Sequence, residues 1–317
     1  MSDFHKWADP GQTDIDIILV HGPGGGPERT WTDDQSGLAW PKDKLAPRFK
    51  NARILSFNYE PSLEDFFVLS DAEDSTMERI DNLSANLCRA VQRLEQYSPP
   101  KRLVFIAHSL GGLVCANILA KKTDQSLYSD LFEGIAGRCV EIVFLATPFC
   151  GNDPEAWEVI TEKLCTNAKV ERNHCSGAFQ VQQAFQNLLA NRFSKPAFRV
   201  ENLVEAGDED MPNVVVTADS AKLDSAIPVG VEADHQSISK CVDEKNLIFT
   251  RILDSLHQVE ERAAPFEIVQ YGHHFVGAGN AFSGPFMRGD GAAHHTVHHL
   301  TFGWGQSNRS SREKPSR

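Results

Sequence analysis

No stretch of this 317-residue chain approaches the roughly 18 to 20 consecutive apolar residues that a membrane-crossing helix needs. The opening Met-Ser-Asp-Phe-His-Lys-Trp also lacks the apolar centre of a secretory signal. A soluble, cytoplasmic protein is therefore expected. Sustained blocks of Lys and Arg are missing: 31 basic residues stand against 43 acidic ones, a net charge of -12, which argues against a nucleic-acid surface. The seven cysteines, at 88, 115, 139, 150, 165, 175 and 241, are odd in number and show no C-x-x-C spacing. They read as reduced structural thiols rather than a disulfide framework or a zinc site. A glycine-rich loop at Gly22 to Gly26 lacks the Gly-Lys-Ser/Thr that a phosphate cradle requires. No cofactor follows from any of these features.

What the chain does contain is a set of short apolar runs separated by helical patterns. Ile15 to Val20, Ala52 to Phe57, Leu103 to Ala107, Cys139 to Ala146, Phe198 to Val204 and the shorter Asn213 to Thr217 read as strands. Between them, Ser75 with Glu78 fits a capping box, followed by Ile80, Leu83, Leu87, Val91 and Leu94 at helical spacing until Pro99 and Pro100. Glu244 to Arg262 reads as a last helix with Leu247, Ile248, Ile252, Leu253, Leu256 and Val259 inward. Strands alternating with helices predict an α/β fold with a doubly wound, mainly parallel sheet. Residues 1–13 read as an extension, 14–264 as the catalytic-type domain and 265–317 as a tail. Within the domain, 151–196 holds two amphipathic patterns, around Trp157, Ile160 and Leu164 and around Phe179, Phe185, Leu188 and Leu189. They form either a helical cap over a site or further cover for the sheet.

The most informative segment is Arg102 to Val114, Arg-Leu-Val-Phe-Ile-Ala-His-Ser-Leu-Gly-Gly-Leu-Val. It sets Ser109 between a buried strand and an apolar helix, on a turn tight enough to need small residues two positions to either side. Ala107 and Gly111 supply them, and the pattern is that of a nucleophile elbow. Serine is a weak nucleophile alone, so acyl transfer needs an imidazole base, a carboxylate to hold its tautomer and N–H donors for the oxyanion. On a sheet carrying such an elbow the chain order is nucleophile, acid, histidine. His174 precedes any plausible acid and His257 sits inside the last helical pattern, which leaves His235 as the base. The acid is Glu205, at the end of the strand before the histidine segment, with Asp219 as the alternative and Asp208 behind both. The oxyanion donors are expected at Leu110 and in the loop after the first strand. There Pro23 occupies the usual donor position and has no N–H, so Gly24 is the substitute.

With these residues in place the chain resembles fungal α/β-hydrolase domains related to serine-active-site-containing lipase-like proteins, of the kind found at the N-terminus of NACHT or other NLR-like receptors. The resemblance spans about residues 14 to 260. It is carried by Val-His-Gly-Pro-Gly-Gly at 20–25, Thr30-Trp31, Trp40-Pro41-Lys42-Asp43, Ala52-Arg53-Ile54-Leu55, the Ala-His-Ser-Leu-Gly-Gly elbow, Val-Phe-Leu-Ala-Thr-Pro at 143–148, Asp219-Ser220-Ala221 and Asp234-His235. It implies a serine esterase or lipase-like enzyme using Ser109 and His235, and an acid before Ser-Ala keeps Asp219 in play. Two departures fall where the site is expected: Pro23 stands where the family usually has Leu, and Phe149-Cys150-Gly151 where it usually has His-Arg-Gly. The substrate expected is a small-molecule or lipid ester, with Trp157, Phe179 and Phe185 hinting at an apolar one.

The tail is rich in Gly, His and Phe and poor in aliphatics, so it cannot build a packed core. Its six histidines, 273, 274, 294, 295, 298 and 299, have no carboxylate or Cys framework and imply adventitious metal affinity at most. Small, polar and aromatic residues alternating with Val297, Leu300 and Phe302 suit cross-β stacking. The segment resembles the short prion-forming signalling motifs of fungal NLR systems. That resemblance implies an effector whose residues 265–317 meet an NLR-like receptor. A catalytically silent scaffold signalling through the same tail is the competing expectation.

Overall fold

The computed structural model describes residues 2–67, 76–96, 101–121, 128–151, 153–164, 176–191, 198–206, 213–241, 243, 245–261, 268–269 and 286–287. His174, Asp208, Ser75 and all of the tail except two dipeptides therefore lie outside the described residues. Those dipeptides, Ile268–Val269 and Phe286–Met287, pair antiparallel.

Seven strands form one sheet: β1 (Phe4–Ala8), β2 (Ile15–Val20), β3 (Ala52–Phe57), β4 (Arg102–His108), β5 (Cys139–Leu145), β6 (Arg199–Glu205) and β7 (Val229–Val231). Their spatial order is β1-β3-β2-β4-β5-β6-β7. All neighbours run parallel except β1, which pairs antiparallel with β3 at the edge. The sheet is doubly wound and mainly parallel, as expected. Phe4–Ala8, expected in an extension, is its first strand. Asn213–Thr217, expected as a strand, is not one; β7 takes that place in the sheet.

Side chains alternate across the strands, and each face has its own core. Ile17 and Leu19 of β2, Ile54, Val104, Ile106, Val143 and Leu145 face one layer. That layer is closed by α6 (Leu247–Glu261) through Phe249, Ile252 and Leu256, and by Trp31, Trp40 and Phe49. Leu247, expected inward, is exposed because it opens the first turn of α6. On the other face Ile18, Val20, Leu55, Phe105, Ile142 and Phe144 meet α1 (Thr76–Glu95), α2 (Gly111–Ala120), α3 (Ser129–Ala136) and α5 (Ser176–Ala190). Each fully buried Leu, Ile or Phe contributes about 1.5 to 3 kcal/mol, so both layers hold the sheet firmly.

The stretch expected as cap or cover divides between the two roles. α5 packs on α1 and α2 and covers the sheet, with Phe185 stacked among Phe144, Phe149 and Phe198. α4 (Pro154–Leu164) buries Trp157 and Ile160 while its C-terminal Lys163 and Leu164 reach the cleft described below. The five described cysteines, 88, 115, 139, 150 and 241, are free thiols; all but Cys150 are buried. Among the described residues no helix is long and apolar enough to cross a membrane.

The topology also says where a site belongs. From β2 the chain moves outward to β3, then returns past β2 to β4 and continues the other way. Loops leaving the carboxyl ends of β2 and β4 therefore diverge and leave a crevice between them. Gly22–Gly26 follows β2, and Ser109 follows β4.

Candidate active site

Ser109 occupies the turn between β4 and α2 with φ 56°, the left-handed region that costs a non-glycine residue of order 1 kcal/mol or more. The turn is held from several sides. Ser109 N–H donates to Leu145 O at 2.9 Å, and Ser109 O accepts from Gly112 N at 2.9 Å and Thr147 Oγ1 at 3.1 Å. Gly22 is packed so closely on this serine that a Cβ there would stand 2.9 Å from Ser109 Cβ and 3.1 Å from its Oγ. The glycine after His21 is thus a steric requirement of the space around Ser109.

His235 lies between Ser109 and Glu205. Its Nε2 is 3.0 Å from Ser109 Oγ and its Nδ1 is 2.6 Å from Glu205 Oε1. Glu205 is buried at the carboxyl end of β6. It also accepts from two amides, Val215 N at 2.6 Å on Oε2 and Val216 N at 3.2 Å on Oε1. These bonds explain why Val214–Val216 is apolar and buried without being a strand: its N–H groups serve a carboxylate instead of a ladder. A carboxylate only accepts, so the proton of that contact sits on His235 Nδ1 and leaves Nε2 to accept from the serine hydroxyl. Asp219, the alternative acid, is elsewhere: its side chain is 87% exposed and pairs with Lys222 at 3.2 Å.

The loop after β2 is shaped by Pro23. Gly25 N donates to Gly22 O at 3.1 Å, with Gly24 at φ 70°, the Pro-Gly corner of a type II turn. Arg29 Nη2 donates to the carbonyls of Gly24 and Gly25. Among the described residues neither Gly24 N–H nor Leu110 N–H is used in a hydrogen bond within the chain. Leu110 precedes the first turn of α2, where amides lack intrahelical partners.

Two histidines that the chain-order argument passes over, because it considers only those after Ser109, border this centre. His21 is buried beside Tyr59, and burial lowers its pKa to about 4. His108 is buried against His235 with ring centroids 5.0 Å apart; burial first, then the neighbouring His235, lowers its pKa to about 3. Both stay neutral near pH 7. No spacing in the sequence singles out His108 except its adjacency to the serine.

The Ser109–His235–Glu205 contacts open on a cleft of about 560 Å³. Its walls carry Arg29, Asp34, Lys163, Asp234, Gln236 and Lys240, with Pro23, Leu164 and Val215 as its apolar members. Phe149–Gly151, expected at the site, is not part of the wall: Phe149 is buried against Phe144 and Phe185, and Gly151 N donates to Gln182. Trp157 and Phe185, read as hints of an apolar substrate, are core residues.

Comparison with known proteins adds a family. A family model described as a putative serine esterase (DUF676) matches residues 17–193. Protein SERAC1 of Danio rerio is 25% identical over 257 residues, covering 75% of this chain and 38% of that protein. Protein SERAC1 of Homo sapiens is 23% identical over 262 residues, covering 77% and 38%. The chain thus spans 38% of the length of these relatives. Among solved structures, the lin2722 gene product of Listeria innocua is similar with a TM-score of 0.48 and 16% identity, covering 77% of this chain and 94% of that one.

Proposed function

The chain belongs to the DUF676 putative serine esterase family, and from that premise we propose that it hydrolyses a carboxylic ester through an acyl-serine on Ser109. The observation that carries the proposal is the unbroken contact Ser109–His235–Glu205, at 3.0 and 2.6 Å. His235 Nε2 takes the hydroxyl proton as Ser109 Oγ bonds to the acyl carbon. The same nitrogen returns that proton to the departing alcohol as the C–O bond breaks. Water then enters, gives a proton to His235 and its oxygen to the acyl carbon, and the acid leaves as Ser109 recovers its proton. Glu205 holds the imidazole and stabilises its cationic form. The Leu110 and Gly24 N–H groups receive the developing oxyanion, a role in which one donor is worth about 2.7 to 4 kcal/mol. Pro23 contributes the turn that presents Gly24.

These contacts support the enzyme over the silent scaffold. The charged and amide groups of the cleft wall favour a small, polar ester with a short acyl chain over a long lipid tail, since covering them with alkyl groups would remove their hydration. The proposal extends to a cytoplasmic effector whose residues 265–317 engage an NLR-like receptor; its support is the tail's composition and its resemblance to signalling motifs.

The test is hydrolysis of p-nitrophenyl acetate, butyrate and palmitate by the full chain, by Ser109→Ala and His235→Ala, and by a chain ending at 264. Short esters turned over at least about tenfold faster in kcat/KM than palmitate, with loss in both variants, are expected. Activity unchanged in the variants contradicts the enzyme. Preference for palmitate contradicts the polar substrate. For the effector reading, the shortened chain keeps turnover but loses the in vivo response; an undiminished response excludes a role for the tail.

A further inference from the structure

The base is held by more than its acid. His235 is in a loop between β7 and α6, and its own N–H makes only a 3.4 Å contact with Asn213 O. The preceding Asp234 accepts on Oδ1 from Gln236 N at 3.1 Å and Ser237 N at 2.7 Å, which rounds the turn but does not anchor it to the sheet. Further on, Trp40 Nε1 donates to Ser239 O and Ser239 Oγ to Thr30 O, both at 2.8 Å, and a direct contact from the sheet to His235 main chain comes from β4. His108 Nε2 is 2.7 Å from the main-chain carbonyl of His235, and the two rings lie against each other at 5.0 Å with 43° between their planes. A carbonyl can only accept, so His108 Nε2 carries a proton and donates it.

We propose that His108 is a positioning residue of this centre: its Nε2–H clamps the His235 carbonyl, so that the strand end that presents the nucleophile also fixes the loop that presents the base. The residue adjacent to Ser109 therefore sets the distance from Oγ to Nε2 through main chain rather than through the triad itself. Glu205 fixes the imidazole from its Nδ1 side and His108 fixes its backbone from the sheet. His108 does not touch the reacting atoms. His108 borders the cleft with its ring mostly buried; burial keeps that ring neutral near pH 7, and the His235 carbonyl keeps its one proton on Nε2.

The inference rests on the serine hydrolase reading, and the experiment separates the two. Gln at 108 extends an amide NH2 to about the position of Nε2, whereas the shorter Asn reaches only as far as Nδ1 would. In the full chain, His108→Gln is expected to keep kcat for p-nitrophenyl acetate within about threefold of wild type. His108→Asn is expected to lower it about tenfold or more with KM unchanged, as loss of alignment rather than of binding would. Equal kcat in the two variants overturns the proposal, since a merely structural histidine gives them equal losses. Nitrogen-15 imidazole NMR reads the clamp without turnover: in the resting protein His108 is expected as the Nε2–H tautomer, and finding it as Nδ1–H also overturns the proposal. Failure of wild-type turnover to depend on Ser109 would instead remove the hydrolase reading and leave the NMR result to decide the clamp.

Discussion

Glu205→Gln is expected to lower kcat for a short ester by about 10⁴-fold, while Asp219→Asn leaves it unchanged. The size follows from what the carboxylate does. It holds the His235 Nδ1 proton at 2.6 Å and so keeps Nε2 free for the Ser109 hydroxyl, and it balances the charge that appears on the imidazole. An amide in its place has one acceptor oxygen for three donors, namely the imidazole and the Val215 and Val216 N–H groups. Either the imidazole turns to the wrong tautomer or a buried N–H loses its partner, at about 1 to 3 kcal/mol. Steady-state kinetics and a urea titration on the same samples separate the two losses. Asp219 touches nothing in the centre, and its ion pair with Lys222 is exposed, where such pairs are worth roughly 0 to 1 kcal/mol. The opposite outcome, an active Glu205→Gln and a dead Asp219→Asn, would move the acid to the segment that precedes Ser220-Ala221.

Gly111→Ala is expected to be strongly destabilising. A Cβ there would sit 2.5 Å from His21 O and 2.7 Å from Val20 O, both main-chain atoms at the end of the central strand β2. Backbone in a seven-stranded sheet cannot yield by the ångström required. The cost reaches the upper end of overpacking, about 3 kcal/mol or more, so the urea midpoint drops by about 1 M or more. Gly24→Ala is the informative contrast. Nothing lies within 4 Å of its Cβ position, and only the left-handed φ of 70° opposes it, at about 1 kcal/mol. Equal midpoints for the two variants would mean that the elbow is not packed against β2 as described.

These two cases mark what was legible in the sequence. The small residues around Ser109 were readable because a tight turn between a buried strand and a helix leaves no space for others, and the distances at Gly111 give that requirement its cause. Buried strands such as β2 and β4 were equally readable, since strands covered on both faces are continuous apolar runs. The chain order placed His235 and Glu205, which the structure brings into contact. Elsewhere a local pattern was overridden by a partner distant in sequence. Val214–Val216 has the composition of a strand, but the Glu205 carboxylate takes its amides. Phe149 and Phe185 have the composition of a substrate pocket, but they stack on each other inside the sheet's second layer. The edge strand Phe4–Ala8 mixes Phe4 and Trp7 with His5 and Lys6, because an edge is solvated on one side, and it gave no apolar run to find. His108 carries no pattern at all; its role depends on where the chain returns 127 residues later.

The account stands or falls on Ser109 as the acyl acceptor. The direct measurement is to treat the full chain with a fluorophosphonate, digest it and locate the adduct by mass spectrometry. A single stoichiometric adduct on the peptide containing Ser109, absent in Ser109→Ala and strongly slowed in His235→Ala, is the predicted result. A folded wild-type protein that takes up no label, or takes it up on another residue at the same rate in the His235 variant, would contradict it.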